Sequence, residues 1–361
     1  MIIKKIFIFV KLTHLFSLMK RQKIGICEIK RWKKAFFCML CDMKKESSDY
    51  LERWKVVEGF TKCDIKYLKK GRRPRSKENP ILISVVLNEI ERMDVFLNHY
   101  RKIGIKRFAI LDNGSTDGTV EFLRKQSDVD LFQVSDNFES KIKIGWINRL
   151  VSHYGTNYWY LVVDADELLV WEDVEEDCIQ NIIRYFNQKR ITHVRALMID
   201  MYSKNTKWNT DESFENVFPE CKYFDYNTYY HKKTNEAHLV CGGPRKRVLD
   251  REVWLTKYPL FKIRKNEIVI NPHVIYPYDD MESACYLALL HYKFLTKNDQ
   301  RKMRRYARRG NYACNSAEYK SYLQKQRENK NNFQFYFEES AEYISSQSLR
   351  QVEEIKAIWK D

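Results

Sequence analysis

The chain has 361 residues, of which 44% are hydrophobic and 14% aromatic, so it can bury a large core and is not a disordered protein. Lys and Arg total 64 against 48 Asp and Glu, and the formal charge of +16 favours anionic partners such as nucleic acid, phosphorylated substrates or acidic lipids. The nine cysteines lack the regular spacing of a small disulfide-rich secreted domain, which predicts reduced thiols and a cytoplasmic protein.

The first 75 residues are predicted to form a basic helical extension that ends in a linker. Between residues 4 and 55, Lys and Arg alternate with Trp, Phe and Leu. This pattern suits either a helix lying on an anionic membrane surface or an extension packed on the main domain. The apolar stretch within residues 1–20 is too short and too polar to span a bilayer. Residues 69–76 are charged and contain Gly and Pro, which predicts the linker.

Strands and helices alternate between residues 81 and 163. In chain order, the predicted elements are a strand at 81–87, a helix at 92–103, a strand at 107–111, a helix at 117–125, a strand at 129–134, a helix at 141–153 and a strand at 159–163. This alternation predicts an α/β fold with a Rossmann-like, mostly parallel central sheet and helices on both faces. Residues 301–361 are predicted as a basic helical C-terminal tail.

Three of the predicted strands end in polar residues, where a parallel sheet binds its ligands. These residues are Asn88 and Glu89, Asp112 and Asn113, and Asp164, Asp166 and Glu167. Alternation along an extended backbone would put the carboxylates of Asp164 and Asp166 on the same side, where they could share one divalent cation. Asp117, by contrast, is predicted to cap the next helix rather than to contact a ligand.

Four segments together resemble a known family. They read SVVLNE at 84–89, HYRKIG at 99–104, LDNGSTDGT at 111–119 and WYLVVDADE at 159–167. In order and spacing they resemble bacterial glycosyltransferases related to family 2, in the branch whose acid motif reads Asp-x-Asp-Glu. The resemblance continues more weakly to residue 294 and leaves out residues 1–75 and those beyond about 310.

The resemblance implies a GT-A fold over residues 76–300, with a donor half at about 81–170 and an acceptor half at about 190–300. It implies a nucleoside-diphosphate sugar, with a UDP-sugar as first choice, and Mn²⁺ or Mg²⁺ held on the diphosphate. Asp166 would be the surest metal ligand, Asp164 would lie at the metal or the ribose, and His291 fits a further ligand better than His273 does. The donor contacts would come from Asn88, Glu89, Asp112, Asn113, Asp164 and Lys257.

The acceptor half offers several candidate residues. Gly242 and Gly243 could let an acceptor approach the backbone or could form a plain turn, and Arg245 could bind an anionic group. An inverting transfer needs a carboxylate base. The candidates for the base are Asp200, Asp211, Glu212, Asp225 and Glu236, with Glu236 preferred. The chain lacks the Glu-Asp and Gln-x-x-Arg-Trp signatures of processive family 2 synthases, which favours single additions.

The predicted function is therefore that of a hexosyl- or N-acetylhexosaminyltransferase. It would act in the cytoplasm or at the inner face of the plasma membrane, on a glycan or lipid-linked acceptor in surface polysaccharide or lipopolysaccharide synthesis. Two alternatives stay open. Haloacid-dehalogenase phosphatases also end an apolar strand in Asp-x-Asp, but they continue with Gly-Thr where this chain has Glu167 and Leu168. The charge would also suit a nucleic-acid-binding protein without catalysis, although no zinc knuckle, RNP-like motif or recognition helix is evident.

Overall fold

The computed structural model divides the chain into two compact units. It describes residues 2–19, 26–43, 47–71, 77–156, 158–204, 213–234, 238–277, 284–293, 296–329 and 334–358. The first unit comprises Met1–Asn88, Ile105–Val162 and Tyr258–Met281, and the second comprises Glu89–Gly104, Val163–Lys257 and Glu282–Asp361. Each unit is therefore built from segments that lie far apart in the sequence. The domain boundaries inferred from the sequence stay predictions.

Helices and strands run through the whole described chain. The helices are α1 (Ile2–Leu18), α2 (Ile26–Asp42), α3 (Ser48–Lys62), α4 (Ile90–Lys102), α5 (Thr119–Lys125), α6 (Ser140–Tyr154), α7 (Ile179–Gln188), α8 (Phe214–Val217), α9 (Gly243–Leu249), α10 (Lys297–Arg309) and α11 (Ala313–Glu328). The strands are β1 (Lys66–Lys69), β2 (Ile81–Val86), β3 (Phe108–Asp112), β4 (Val129–Gln133), β5 (Trp159–Val162), β6 (Glu167–Val170), β7 (His193–Asp200), β8 (Tyr223–Phe224), β9 (Tyr229–Lys233), β10 (His238–Gly242), β11 (Thr256–Lys262), β12 (Ile268–Asn271), β13 (Val274–Tyr276), β14 (Leu287–His291) and β15 (Ala341–Glu342). Among the described helices, none is long and apolar enough to cross a membrane.

The seven elements predicted between residues 81 and 163 are confirmed as β2 to β5 and α4 to α6, with every bound within two residues of its prediction. The strands were visible because β2, β3 and β4 are buried along almost their whole length. A parallel strand that is covered on both faces consists of a continuous apolar run. Helix α4 was visible because its apolar residues recur at helical spacing and are buried, namely Met93, Phe96, Leu97 and Tyr100.

The strand pairings make the chain a mixed α/β protein with a large, mostly parallel sheet, as predicted. In the first unit the strands follow in the order β1-β4-β3-β2-β5-β11. β2 pairs in parallel with β3 and β5, and β3 with β4, whereas β1 and β11 are antiparallel to their neighbours. In the second unit β14 lies between β7, which is parallel to it, and β6, which is antiparallel. The GT-A type itself stays a prediction.

The N-terminal helices pack on one another through aromatic side chains. The ring centroid of Phe60 in α3 lies 4.8 Å from that of Trp32 in α2 and 6.0 Å from that of Phe16 in α1. All three rings are buried, so the helices share one small core in the first unit. Within the extension predicted for residues 1–75, the described residues form the three helices α1, α2 and α3. Of the predicted linker, residues 72–76 lie outside the described residues.

Helices α3 and α6 of the first unit cross at two glycines. A Cβ atom added at Gly145 would lie 2.4 Å from the carbonyl oxygen of Val56, and one added at Gly59 would lie 2.3 Å from that of Ile142. Both distances are far below van der Waals contact. The glycines therefore let the two helix backbones touch, which joins the N-terminal helices to the rest of the unit.

Helices α10 and α11 pack against each other in the second unit. Helix α10 starts with a capping box, in which Thr296 and Asp299 each bond to the other's backbone N–H. Met303 and Ala307 of α10 share a buried apolar cluster with Tyr319 and Tyr322 of α11. The packing of α11 on α10 therefore sets the orientation of α11, and with it the positions of the polar side chains that α11 carries.

Candidate functional site

The acid motif lies in a turn that follows β5. This turn stands at the start of the segment Val163–Lys257 of the second unit. The N–H of Glu167 donates to the carbonyl of Asp164 at 3.1 Å, which closes a four-residue turn. The backbone here is a turn and not an extended strand, so the strand alternation assumed in predicting that Asp164 and Asp166 share one side is absent. Sequence analysis also missed β6, which starts at Glu167 and runs antiparallel to β14.

Strand β14 places His291 between two acids on neighbouring strands. In the ladder, His291 is opposite Glu167 of β6 and Asp200 of β7. Ligand atoms of Asp166, Glu167 and His291 all lie within 4.8 Å of one another, the kind of grouping that can hold a metal ion. The structure thus brings together His291 and the acid motif, which are more than a hundred residues apart in sequence.

The His291 ring is held by a carboxylate on each side. Its Nδ1 lies 2.6 Å from Oδ1 of Asp200, and its Nε2 lies 3.4 Å from Oδ2 of Asp166. Burial lowers the pKa of His291, but the two carboxylates outweigh burial and raise it above its ordinary value. When Nδ1 donates its proton to Asp200, Nε2 is the atom whose lone pair can bind a cation held beside Asp166.

Asp200 is tied down on both oxygens. Its Oδ2 accepts from Nε of Arg245 at 2.7 Å, while Oδ1 contacts His291. Burial raises the pKa of Asp200, but Arg245 and His291 outweigh burial and lower it well below its ordinary value. A buried carboxylate with a low pKa and two partners is a weak base, so this geometry speaks against Asp200 as the general base.

Arg245 is an internal residue and continues the network toward α11. Its NH1 donates to Oε1 of Glu318 at 3.2 Å, and Nζ of Lys293 donates to the same oxygen at 2.8 Å. Burial raises the pKa of Glu318, but these two cations outweigh burial and lower it to about 2. Arg245 was predicted to bind an anionic acceptor group. In the structure its guanidinium is buried and holds Asp200 and Glu318 instead.

Lys257 pairs with two carboxylates of the acid turn. Its ammonium donates to Oε1 of Glu167 and lies 3.7 Å from Oδ2 of Asp164. Burial lowers the pKa of Lys257, but the two carboxylates outweigh burial and raise it. The other oxygen of Glu167 accepts from the N–H of Asp164 at 3.2 Å. Through these contacts Glu167 stabilises the turn.

Glu89 and Arg92 form a second buried ion-pair group in this unit. Arg92 contacts Oδ2 of Asp299 at 2.6 Å and Oε2 of Glu89 at 3.1 Å, and Lys302 contacts Oε1 of Glu89 at 2.9 Å. Glu89 was predicted to contact the nucleoside, and its two oxygens are engaged by these cations. His291 is the main reason that the pKa of Asp166 is lowered despite burial, and Arg92 contributes to the shift.

The predicted nucleoside loop of the first unit is held together by its own side chains. Asp112 is fully buried, and its Oδ2 accepts from the N–H of Gly114 at 2.9 Å. Oδ1 of Asn88 accepts from the N–H of Thr116 at 2.7 Å, and Nδ2 of Asn113 donates to the carbonyls of Val134 and Asp136. These bonds shape the loop, and contact with a nucleoside stays a prediction. Oδ1 of Asp117 accepts from the N–H and the hydroxyl of Thr119 at the start of α5, but the N-cap residue of this helix is Gly118 and not Asp117 as predicted.

The remaining acceptor-side candidates have local explanations or lie outside the described residues. Gly242 has φ of 110°, and a Cβ there would lie 2.2 Å from the carbonyl oxygen of Thr228, so the protein's own backbone requires this glycine. Gly243 has φ of 70° and follows it into α9. Asp225 is buried and bonded by two nitrogens of Arg247. Asp211, Glu212 and Glu236 lie outside the described residues.

Three tyrosines near the acid motif were missed by sequence analysis. The ring centroids of Tyr306, Tyr312 and Tyr319 lie 4.4 to 5.4 Å apart, and Nζ of Lys293 lies 4.9 Å from the Tyr319 ring. Burial raises the pKa of Tyr319 far above its ordinary value, and Glu318 adds to the shift. All three tyrosines belong to the predicted tail, where no motif marked them.

Comparison with known proteins adds little to this picture. No family model matches the chain, and no curated protein matches its sequence. Among solved structures, the chain is similar to S. aureus TarS, residues 1–349, with a TM-score of 0.29 and 14% identity over 70% of this chain and 73% of that one. A likeness of this size carries no argument about activity, so the functional conclusion rests on the residues themselves.

Proposed function

We propose that the chain is a metal-dependent glycosyltransferase of the GT-A type that uses a nucleoside-diphosphate sugar, with a UDP-sugar as first choice. The observation that carries the proposal is the pair formed by Asp166 and His291, with Asp200 behind the ring. A carboxylate that holds the far nitrogen of a histidine is the usual support of a histidine that binds metal.

The donor set fits a divalent cation. Asp166 offers a carboxylate oxygen and His291 offers Nε2, whereas Glu167 is engaged by Lys257 and serves as support. A ring nitrogen beside a carboxylate suits Mn²⁺ better than Mg²⁺, which prefers an all-oxygen shell. Two protein ligands leave positions for diphosphate oxygens and water. When bound, the cation stabilises the negative charge that develops on the leaving diphosphate.

The surrounding residues keep this pair in place. Asp200 orients the His291 ring, and Arg245 holds Asp200 from the opposite side. Lys257 offsets the negative charge of the acid turn through its contacts with Glu167 and Asp164. The described carboxylates among the base candidates, Asp200 and Asp225, are both paired with arginines. Glu236 therefore stays the preferred candidate for the general base.

The biological setting is proposed from the family resemblance. The acceptor would be a glycan or lipid-linked glycan in surface polysaccharide or lipopolysaccharide synthesis. The transfer would be inverting and non-processive, in the cytoplasm at the inner face of the plasma membrane.

Metal-dependent nucleotide binding tests the proposal. The purified full chain is screened by thermal shift with UDP-, GDP-, CMP- and dTDP-sugars, with and without Mn²⁺, and the best donor is then titrated at equilibrium. We expect stabilisation only when donor and Mn²⁺ are both present, and its loss in Asp166→Asn. Asp250→Asn, which changes an exposed aspartate of the same unit, is the matched control. Unchanged binding by Asp166→Asn would show that the metal assignment is wrong.

The same preparation separates the two alternatives. A phosphatase would hydrolyse p-nitrophenyl phosphate and lose that activity in Asp164→Asn, without any need for a nucleotide. A nucleic-acid-binding protein would bind duplex DNA with an affinity that falls steeply with salt, and would show no metal-dependent binding of sugar nucleotides.

A further inference from the structure

Helix α1 in the first unit exposes a continuous apolar face. Six large apolar side chains in its first ten residues are between 51% and 82% exposed. They are Ile2, Ile3, Ile6, Phe7, Phe9 and Val10. The surface of a soluble protein normally exposes such side chains singly. A contiguous group on one helix instead marks a surface that binds a partner or a membrane.

The opposite face of α1 is already used for packing. Ile8, Leu12, Leu15 and Phe16 are buried, and the Phe16 ring packs on α2 and α3. Successive residues of a helix are about 100° apart, which puts these four on one side and the six exposed residues on the other. The exposed apolar side chains of α1 are therefore distinct from those that α1 contributes to the core.

Cations border the exposed face. On the helix, Lys5 lies next to one edge of the face, and Lys4 and Lys11 lie next to the other. From α2, Nζ of Lys33 lies 4.5 Å from the centroid of the Phe9 ring and donates to Oγ1 of Thr13 at 2.6 Å. The first 43 residues contain ten Lys or Arg and two Asp or Glu. Apolar residues with a cationic border suit an interface between hydrocarbon and anionic headgroups.

We propose that the exposed face of α1 binds the surface of an anionic lipid bilayer. The six apolar side chains would enter the boundary between headgroups and acyl chains, while the cationic surroundings of the face attract the anionic headgroups. A second copy of the chain suits this face less well, because it would bring two strongly cationic N-terminal segments together. The proposal does not depend on the enzymatic activity proposed above, since vesicle binding needs neither a sugar nucleotide nor a metal.

Vesicle binding by the full chain tests the proposal. The protein is sedimented with vesicles of phosphatidylcholine alone and with vesicles of equal parts phosphatidylcholine and phosphatidylglycerol. We expect binding to the anionic vesicles that weakens with salt, and little binding to the neutral ones. In Ile6→Ser/Phe7→Ser the partition coefficient should fall about tenfold or more. Ile344→Ser, which removes an even more exposed isoleucine from the second unit, should bind like the unchanged protein.

Circular dichroism and light scattering complete the experiment. Both substituted residues are exposed, so the variant should keep the helix content and melting temperature of the unchanged protein. The proposal is overturned if the unchanged protein ignores anionic vesicles, or if Ile344→Ser loses binding as much as the α1 variant does. It is also overturned if the unchanged protein is a dimer that Ile6→Ser/Phe7→Ser converts to a monomer without any change in vesicle binding.

Discussion

Nδ1 of His291 lies 2.6 Å from Oδ1 of Asp200, across the parallel pair of β14 and β7. Both residues are buried, so this contact fixes the orientation of the ring and the nitrogen that carries the proton. Arg245 holds the second oxygen of Asp200, which keeps the carboxylate from turning away. The pair therefore aims Nε2 of His291 at Asp166, and the fitness of the site for a metal depends on it.

Replacing Asp200 should weaken metal binding without removing a ligand. In Asp200→Asn the side chain keeps its size and can still accept from Nδ1, but it loses the charge that makes the ring a better ligand. We expect the affinity for Mn²⁺ in the presence of the sugar nucleotide to fall about 10- to 100-fold. Isothermal titration of Mn²⁺ into the protein with its nucleotide measures the change.

Asp225→Asn is the matched control for this experiment. Asp225 is also buried and paired with an arginine of the same unit, Arg247, and its other side-chain partners are the hydroxyls of Tyr202 and Thr228. Its replacement should reduce stability and leave the affinity for Mn²⁺ unchanged. Equal losses of Mn²⁺ affinity in the two variants would mean that Asp200 acts only through the stability of the unit.

The ion pair of Lys257 and Glu167 should matter for stability even without metal. Glu167 is 2% exposed, so Lys257→Met leaves a buried carboxylate without its cation, at a cost of about 3–5 kcal/mol in the free energy of unfolding. The double variant Lys257→Met/Glu167→Gln removes the stranded charge, and the oxygen of the new amide can still accept from the N–H of Asp164. We expect the double variant to be more stable than Lys257→Met alone. Urea unfolding in metal-free buffer measures both, and additive losses would argue against the pairing.

The parts of the fold that sequence analysis recovered are those with a local signal. Strands β2, β3 and β5 are mostly apolar and almost wholly buried, and α4 shows helical spacing because one side is buried. His291 was selected through the family resemblance, and the structure brings it beside Asp166.

The missed features depend on contacts between distant segments. Strand β6 follows the acid motif directly, and its four residues were too short a run to separate from the motif. Its pairing with β14 joins residues about 120 positions apart, and such pairing leaves no periodicity in either segment. Glu318 and the three tyrosines lie beyond the resemblance, and only the packing of α10 on α11 brings them to this cluster.

The glycine crossing of α3 and α6 should be sensitive to one methyl group. Alanine normally stabilises a helix by about 1 kcal/mol relative to glycine, but a Cβ at Gly145 would lie 2.4 Å from the carbonyl oxygen of Val56. Two helix backbones must then move apart, so Gly145→Ala should lower the free energy of unfolding by about 1–3 kcal/mol, and Gly145→Val by more. Thermal and urea unfolding test the series. A melting temperature that is unchanged or higher in Gly145→Ala would contradict the close crossing.

His99 should make the stability of the second unit depend on pH below neutrality. Burial lowers the pKa of His99 to about 4 from an ordinary value near 6.5, and its Nε2 lies 2.8 Å from the carbonyl oxygen of Leu169. Between these two pKa values the unfolded chain binds a proton that the folded chain does not, so stability falls as the pH drops from about 6.5 to about 4. The contribution of His99 to this fall should be about 3 kcal/mol. In His99→Gln the amide can still donate to Leu169 but does not titrate, so urea unfolding across this range should give a correspondingly flatter profile. Identical profiles for the two proteins would show that His99 is not held in its neutral form.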